Sequence, residues 1–280
     1  MIEYKHSKQP MKLSKSLSLH GHDVSYNNLM KILRKKDVLI NGIRVNKDVV
    51  VNQNDLIKIY VPKNPSSVLT KTIPIIYQDN NIVIVDKPAG LETEGEFSVT
   101  TVLQNMGYNA LAVHRLDKNT QGIMVFALNA IAKEELDLAF FQKRVHKIYR
   151  AEVAGFLDPP ENTLSAYLFK DSSKSEVIIS KTPKDGYVSI KTGYKVIKEL
   201  ELTSLIDVYL YTGRTHQIRA HMAFIGHPVI GDGKYGDYKI NNQLKAKTQR
   251  LKAYSLSFEF KDGVLSYLNQ KTFLTNTDFN

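Results

Sequence analysis

Two β-branched runs, Ile73-Pro74-Ile75-Ile76-Tyr77 and Ile82-Val83-Ile84-Val85-Asp86, are separated only by the polar turn Gln78-Asp79-Asn80-Asn81. A turn that short cannot carry a crossover helix, so the two runs must pair antiparallel. The same texture continues through the chain. Lys147 to Ala154 and Leu205 to Leu210 read as strands, and residues 164 to 195 hold further strand candidates with a turn at Lys184-Asp185-Gly186. Helical spacing appears at irregular intervals, over Ser98 to Met106 and over Ala130 to Phe141, where Ile131, Leu136, Leu138 and Ala139 recur. Strands without a regular βα alternation predict an α+β domain on a mostly antiparallel, mixed sheet.

Ahead of that domain lies a different composition. The Pro- and Ser-containing stretch Val61-Pro62-Lys63-Asn64-Pro65-Ser66-Ser67 reads as a linker. The expected division is a unit over 1–60, a linker over 61–72 and a larger domain over 73–280. Residues 1 to 63 hold 12 Lys and Arg against 5 Asp and Glu, a net +7 of the chain's +10. A basic head on a nearly balanced body suits a polyanion, with nucleic acid the favoured partner. Within the head, Ser25 to Lys36 has helical spacing at Leu29, Met30, Ile32 and Leu33 with Ser25 as a candidate cap. Lys31, Arg34, Lys35 and Lys36 give that helix a basic face and are the candidates for phosphate contact. Asn41-Gly42 between Val38-Leu39-Ile40 and Ile43-Arg44-Val45 signals a hairpin, and Leu56 to Tyr60 a closing strand.

Several classes of chemistry drop out. The chain has no cysteine, which excludes disulfides, thiolate nucleophiles and Cys-ligated zinc. No apolar run approaches the roughly 20 residues of a membrane helix, and Met1-Ile2-Glu3-Tyr4-Lys5 lacks a signal-peptide apolar core. A cytoplasmic protein without membrane contact is the expectation. His216 and His221 are spaced i, i+5, unlike the i, i+4 pair of a zinc helix, so no metal is expected. The glycines match neither a phosphate-binding loop nor a dinucleotide fingerprint, so no nucleotide cofactor is expected either.

Two clusters remain to carry function. The loop His114-Arg115-Leu116-Asp117-Lys118-Asn119-Thr120-Gln121-Gly122 sits between the apolar runs Ala110 to Val113 and Ile123 to Ala127. Its Asp117 has three readings: a partner for Arg115, a turn residue, or a catalytic acid, base or nucleophile. The second cluster, Thr212 to Met222, packs Arg214, His216, Gln217, Arg219 and His221 into what reads as a helical stretch.

The blocks Asp86-Lys87-Pro88-Ala89-Gly90, His114 to Gly122, Lys147-Ile148-Tyr149-Arg150-Ala151 and Thr212 to His221 with Gly226-His227-Pro228 and Gly231-Asp232 resemble, in order, those of the RluA-type pseudouridine synthases. The head, with Met11-Lys12-Leu13-Ser14-Lys15, its basic helix and Val38 to Gly42, resembles an S4 RNA-binding domain. The resemblance implies a pseudouridine synthase fold and isomerisation of uridine in structured RNA, ribosomal or transfer, without cofactor or metal. It implies Asp117 as nucleophile, Tyr149 stacking on the uracil and Arg219 pairing with the aspartate. Arg115 would fill the space of the flipped nucleotide. His114, Arg214, His216 and Gln217 follow as candidates for positioning or phosphate contact. One position departs: the family has Ser where Gln121 stands. Two rival readings are an RNA-binding assembly factor without catalysis, and a hydrolase with an Asp nucleophile. The latter needs a second carboxylate, for which Asp86, Asp207 and Asp232 are the candidates.

Overall fold

The computed structural model describes all residues except 1, 23, 25, 35, 61–71, 172, 174, 277, 278 and 280. They form two compact units, Met1–Thr70 and Lys71–Asn280. The linker expected over 61–72 lies, but for Thr72, outside the described residues, as do the candidate cap Ser25, Lys35 and the side chain of Lys31.

The first unit contains strands β1 (Ile2–Lys5) and β2 (Met11–Lys12), helices α1 (Leu13–Leu19) and α2 (Tyr26–Arg34), and strands β3 (Val38–Ile40), β4 (Ile43–Val45), β5 (Val50–Val51) and β6 (Leu56–Ile59). The sheet runs β1-β6-β3-β4, with β2 and β5 paired separately. Leu13 and Leu17 on α1, with Leu29, Ile32 and Leu33 on α2, put one apolar stripe each against Val38, Ile57 and Ile59. The β3–β4 hairpin turns on Asn41 (φ 50°) and Gly42 (φ 82°), the positive pair that a two-residue hairpin requires. Strand β1, which pairs Ile2 with Ile59, has too short an alternation to announce itself before the fold is known. Arg34 and Lys36 are exposed.

The second unit contains β7 (Ile75–Gln78), β8 (Ile82–Lys87), α3 (Val99–Asn105), β9 (Leu111–Ala112), β10 (Gln121–Ala127), α4 (Ala130–Phe141) and β11 (Val145–Ala154). There follow β12 (Glu161–Asp171), β13 (Glu176–Ser180), β14 (Val188–Glu199), β15 (Thr203–Leu210), α5 (Gln217–Phe224), α6 (Tyr238–Gln243), β16 (Leu251–Phe258) and β17 (Thr272–Leu274). Among the described residues they build an 11-stranded sheet, ordered β13-β12-β14-β15-β11-β16-β10-β8-β7 with β17 on β16 and β9 on β10. Every pairing between these named strands is antiparallel except β10 with β16. This is the mixed α+β architecture that the irregular spacing of helices implied. Ser98 and Asn129 start α3 and α4 by accepting the amides of Thr101 and Ala132. No helix of the described residues is long and apolar enough to cross a membrane.

The expected helix from Thr212 begins instead at Gln217. The Gln217 side-chain oxygen accepts the Arg214 amide (3.1 Å) and the Thr212 hydroxyl (2.9 Å), which holds 212–216 as a loop. His216 sits at φ 55°, left-handed, directly before the helix.

Register decides what the sheet can present. Tyr149 on β11 pairs with Ala253 on β16, and Ala253 pairs with Gly122 on β10. Gly122 has φ 108°, and a Cβ there would lie within 3 Å of backbone atoms of Ala253. Only glycine lets β10 approach β16 at the point where the loop carrying Asp117 enters the sheet. Gly122→Ala is expected to destabilise the protein by about 2 kcal/mol or more, measured as a shift of the urea midpoint. An unchanged midpoint would show that the close approach is dispensable.

Candidate active site

The nine residues from His114 to Gly122 are held from several sides by separate chain segments. Thr120 donates its amide to the Asp117 carbonyl at 3.0 Å, closing a tight turn. Thr93 Oγ1 donates to the Leu116 carbonyl (3.3 Å), and the Leu116 amide lies 3.2 Å from the same hydroxyl. Gln249 Nε2 donates to Thr120 Oγ1 at 2.9 Å. The Lys118 carbonyl accepts from the Gly90 amide (2.8 Å) and from Lys87 Nζ (3.0 Å). His114 closes the set. Its Nε2 accepts the Val125 amide (3.1 Å), and its ring stacks on Phe140 at 4.8 Å between centroids. Burial, then the nearby Lys147 charge, holds this imidazole well below its usual pKa, so it is neutral. His114 therefore fastens the loop to the core and does not line the cavity.

Asp117, with a side chain 20% exposed, meets Arg219 from α5. Arg219 Nη1 donates to Asp117 Oδ2 at 3.0 Å. The other two donors of the guanidinium go to Asp232, Nε to Oδ2 at 2.6 Å and Nη2 to Oδ1 at 2.9 Å. The Asp232 carboxylate is fully buried. Burial opposes its charge, yet the Arg219 hydrogen bonds prevail and hold its pKa below the usual range. Burial likewise opposes the charge of Arg219, and its two carboxylate partners reverse that. Asp232 Oδ1 also accepts the amides of Lys234 and Tyr235, which turns the chain beneath the site. The planar fork of arginine is thus fixed by one acid and presents its remaining edge to the other.

His216 approaches the same oxygen, with Nε2 3.8 Å from Asp117 Oδ2. Its Nδ1 lies 2.9 Å from the Tyr235 hydroxyl, whose oxygen accepts the Val177 amide. Desolvation lowers the pKa of His216, partly offset by the Asp117 charge. Among the described residues, both contacts fall on Oδ2.

Asp117, Tyr149, Arg219 and Arg115 line one cavity of about 160 Å³, together with Arg214, His216 and Gln217. Tyr149 is buried and follows a register shift of β11 against β16, a bulge that re-aims a side chain. Arg115 and Arg214 are exposed at the margin. Gln217 lines the cavity, but its amide is spent on the 212–216 loop and on Thr192 and the Lys191 carbonyl. Of the carboxylates considered as second catalytic acids, Asp86 is bound by Thr275 and Lys252, Asp207 by Arg150, and Asp232 by the far side of Arg219. Among the described residues no group of three or more His, Asp or Glu is placed to hold a metal ion.

The chain that builds this cavity, with its oriented carboxylate, buried tyrosine and arginines at the rim, is similar to known proteins. A family model described as RNA pseudouridylate synthase matches residues 81–224, just over half the chain. The chain belongs to the RNA pseudouridylate synthase family. The ribosomal large subunit pseudouridine synthase C of Haemophilus ducreyi is 32% identical over 252 residues, 82% of this chain and 78% of that protein. An uncharacterized RNA pseudouridine synthase of Aquifex aeolicus is 30% identical over 285 residues, 92% of this chain and 89% of that one. The solved structure of human RNA pseudouridylate synthase domain containing 1 shares the fold, with a TM-score of 0.61 at 24% identity over 71% of this chain and 82% of that chain. The activity that follows from membership is the isomerisation of uridine to pseudouridine in RNA.

Four residues of this synthase have tasks that the sequence does not disclose, although Asp232, Lys147 and Lys87 stand inside the blocks quoted above. Asp232 and Tyr235 fix Arg219 and His216, and Lys147 lines the cavity. Lys87 is completely buried and donates to the carbonyls of Pro88 (3.1 Å), Leu91 (2.8 Å) and Lys118 (3.0 Å). Its signs in the sequence were its place in the block Asp86 to Gly90 and at the end of an apolar strand. Gln121 is explained by register. It pairs with Lys252, which pairs with Arg150, so this row lies on the sheet face opposite Tyr149 and Gly122. The departure from serine does not reach the cavity.

Burial brings Lys87 down to about 8, against an upward pull from the Asp117 charge. Between about 8 and 10.5 the unfolded chain keeps a proton that the folded chain has released, so this group's contribution to stability rises with pH across that window. Lys87→Met removes the slope. The stability of the wild type relative to this variant is expected to climb by up to about 3 kcal/mol through the window, read from urea unfolding at pH steps. A difference flat with pH would refute the burial of a titrating amine.

Proposed function

We propose that this enzyme forms pseudouridine at specific uridines of structured large-subunit ribosomal RNA, with Asp117 as the nucleophile. The observation that carries this is the Arg219 bridge, which aims Asp117 into a cavity floored by Tyr149. The ribosomal assignment rests on the named Haemophilus relative. A uridine held in a helix cannot reach a carboxylate in a pocket, so it leaves the stack and enters. Tyr149 takes the face of the uracil, and Arg115 occupies the vacated place in the RNA. Asp117 Oδ1 attacks C1′ of the ribose or C6 of the base. In either case the N1–C1′ bond breaks, the uracil turns, C5 bonds to C1′, the bond from Asp117 to carbon breaks to return the free carboxylate, and a proton leaves C5 as N1 gains one. Arg219 holds the carboxylate at a fixed angle through both bond changes. Arg214 and Lys147 supply positive charge beside the cavity for the neighbouring phosphates.

The basic first unit is read as an S4-like RNA-docking domain. Support comes from its two helices on a small sheet and from the exposed Arg34 and Lys36 at the end of α2. Lys31 and Lys35 belong to the same proposal by sequence.

Asp117→Asn is expected to abolish product while RNA affinity stays within about twofold, because the amide keeps the shape and loses the nucleophile. Pseudouridines mapped in ribosomal and transfer RNA from cells with and without the gene identify the target. Turnover by Asp117→Asn would overturn the nucleophile, and a lost site confined to transfer RNA would overturn the ribosomal assignment. Arg34→Ala and Lys36→Ala should each lower the slope of log affinity against log salt by about 1. Unchanged slopes would show that this face does not touch phosphate.

A further inference from the structure

The isomerisation moves a proton as well as a base. C5 must lose a hydrogen once it has joined C1′, and N1 must end with one. Of the described side chains that line the Asp117 cavity, those able to exchange a proton are Asp117, Lys147, Tyr149, His216 and three arginines. Guanidinium, ammonium and phenol groups ordinarily hold their protons at pH 7. Asp117 is occupied, since it leaves carbon in the same sequence of steps and accepts from Arg219. We propose that His216 is a further catalytic residue, whose Nε2 takes the proton from C5 and returns it to N1. This role rests on the reading of Asp117 as the nucleophile of a uridine isomerase.

Nε2 stands 3.8 Å from Asp117 Oδ2. That is too far for a hydrogen bond and near enough to reach what the carboxylate touches. The other ring nitrogen is engaged, with Nδ1 2.9 Å from the Tyr235 hydroxyl. The tyrosine is fixed in turn by the Val177 amide, 2.9 Å from the same oxygen. Burial raises the pKa of Tyr235, so the phenol keeps its proton. His216 is thus held at its far nitrogen while the near one faces the nucleophile. The step requires the proton of the neutral ring on Nδ1, donated to the Tyr235 oxygen, which leaves the Nε2 lone pair for C5. C5 comes within range by either route. It is bonded to C6 throughout and to C1′ once the new bond has formed, so it lies one bond from the carbon that Asp117 attacked.

The electrons balance by either route. The C5–H pair restores the C5=C6 double bond. It displaces the C6=N1 π pair onto N1 where Asp117 attacked C1′, or the C6–O pair onto Asp117 where it attacked C6. The imidazolium then protonates N1, two ring positions from C5, and His216 ends neutral. The groups around the ring prepare it for this. Desolvation, with the charges of Arg219 and Lys234, keeps the imidazole neutral near pH 7 against the opposite pull of Asp117 and Asp232.

The test uses the full chain and the RNA stem-loop carrying the uridine that the mapping identifies, with and without deuterium at C5 of that uridine. His216→Asn suits the left-handed backbone at φ 55° and keeps an amide where Nδ1 stood, so Tyr235 retains a partner. It should lower kcat about a hundredfold with KM within about twofold. Deuterium at C5 should slow this variant more than it slows the wild type, and added imidazole should restore turnover. In the wild type, log kcat should fall with unit slope along an acid limb below pH 6.5, where Nε2 gains a proton; the variant should lack that limb. A variant with wild-type kcat, or one slowed without a larger isotope effect, would overturn the base and leave the isomerase reading intact. Turnover by Asp117→Asn, or a wild type that forms no pseudouridine in any RNA, would sink that reading and the role of His216 with it.

Discussion

One guanidinium shared between two carboxylates organises the catalytic unit. Arg219 is buried, and so is Asp232. Taking such a pair out of water costs several kcal/mol per ion, and it survives only because each hydrogen-bonding edge finds a partner. Two donors of Arg219 close on Asp232, and the third reaches Asp117, 102 positions earlier in the chain. Asp232 in turn accepts two backbone amides. The chain of contacts thus converts a local turn at 232–235 into a fixed angle for an acid on a distant loop. It also explains why a partly exposed aspartate can be held without being walled in.

The loop itself is held by another device, separate hydrogen bonds that tie its backbone and its side chains to the segments around it. Thr93, Gln249 and His114 each fasten one point, and Lys87 reaches up from the end of β8 to the Lys118 carbonyl. Functional groups on loops acquire precision only when the surrounding shell locks them. Gly122 completes the arrangement by letting β10 close on β16, so that Tyr149 stands in the same row across the sheet. The cavity is accordingly a product of strand order, since β10, β16, β11 and β15 are neighbours while their segments are far apart in the chain.

The local levels of this structure were open to reading. The Asn41-Gly42 hairpin, the α4 span from Ala130 to Phe141, and the antiparallel β7–β8 pair all follow from short-range chemistry: positive φ at a turn, an apolar stripe, a β-branched run. The start of α5 was not, because the capping oxygen belongs to a residue that also looks like a good helix interior, Gln217. Nor was the destination of His114. A histidine three residues before Asp117 invites a functional reading, and only the Val125 amide and the Phe140 ring decide that it faces the core.

The sequence by itself determined the class of fold, the basic character of the first unit and the order of the blocks that hold Asp117, Tyr149 and Arg219, whose resemblance to a family marked them as candidates. Those depend on residue type, spacing and order, which the chain carries openly. Tertiary structure alone decided that Arg219 is a bridge with Asp232 at its other end, that Lys87 is sealed beneath the loop, and that Gln121 faces away from the cavity. The physical reason is the same in each case. Which side chains share a buried volume depends on the register of strands remote in sequence, and a shift of one residue would send every one of them to the other face.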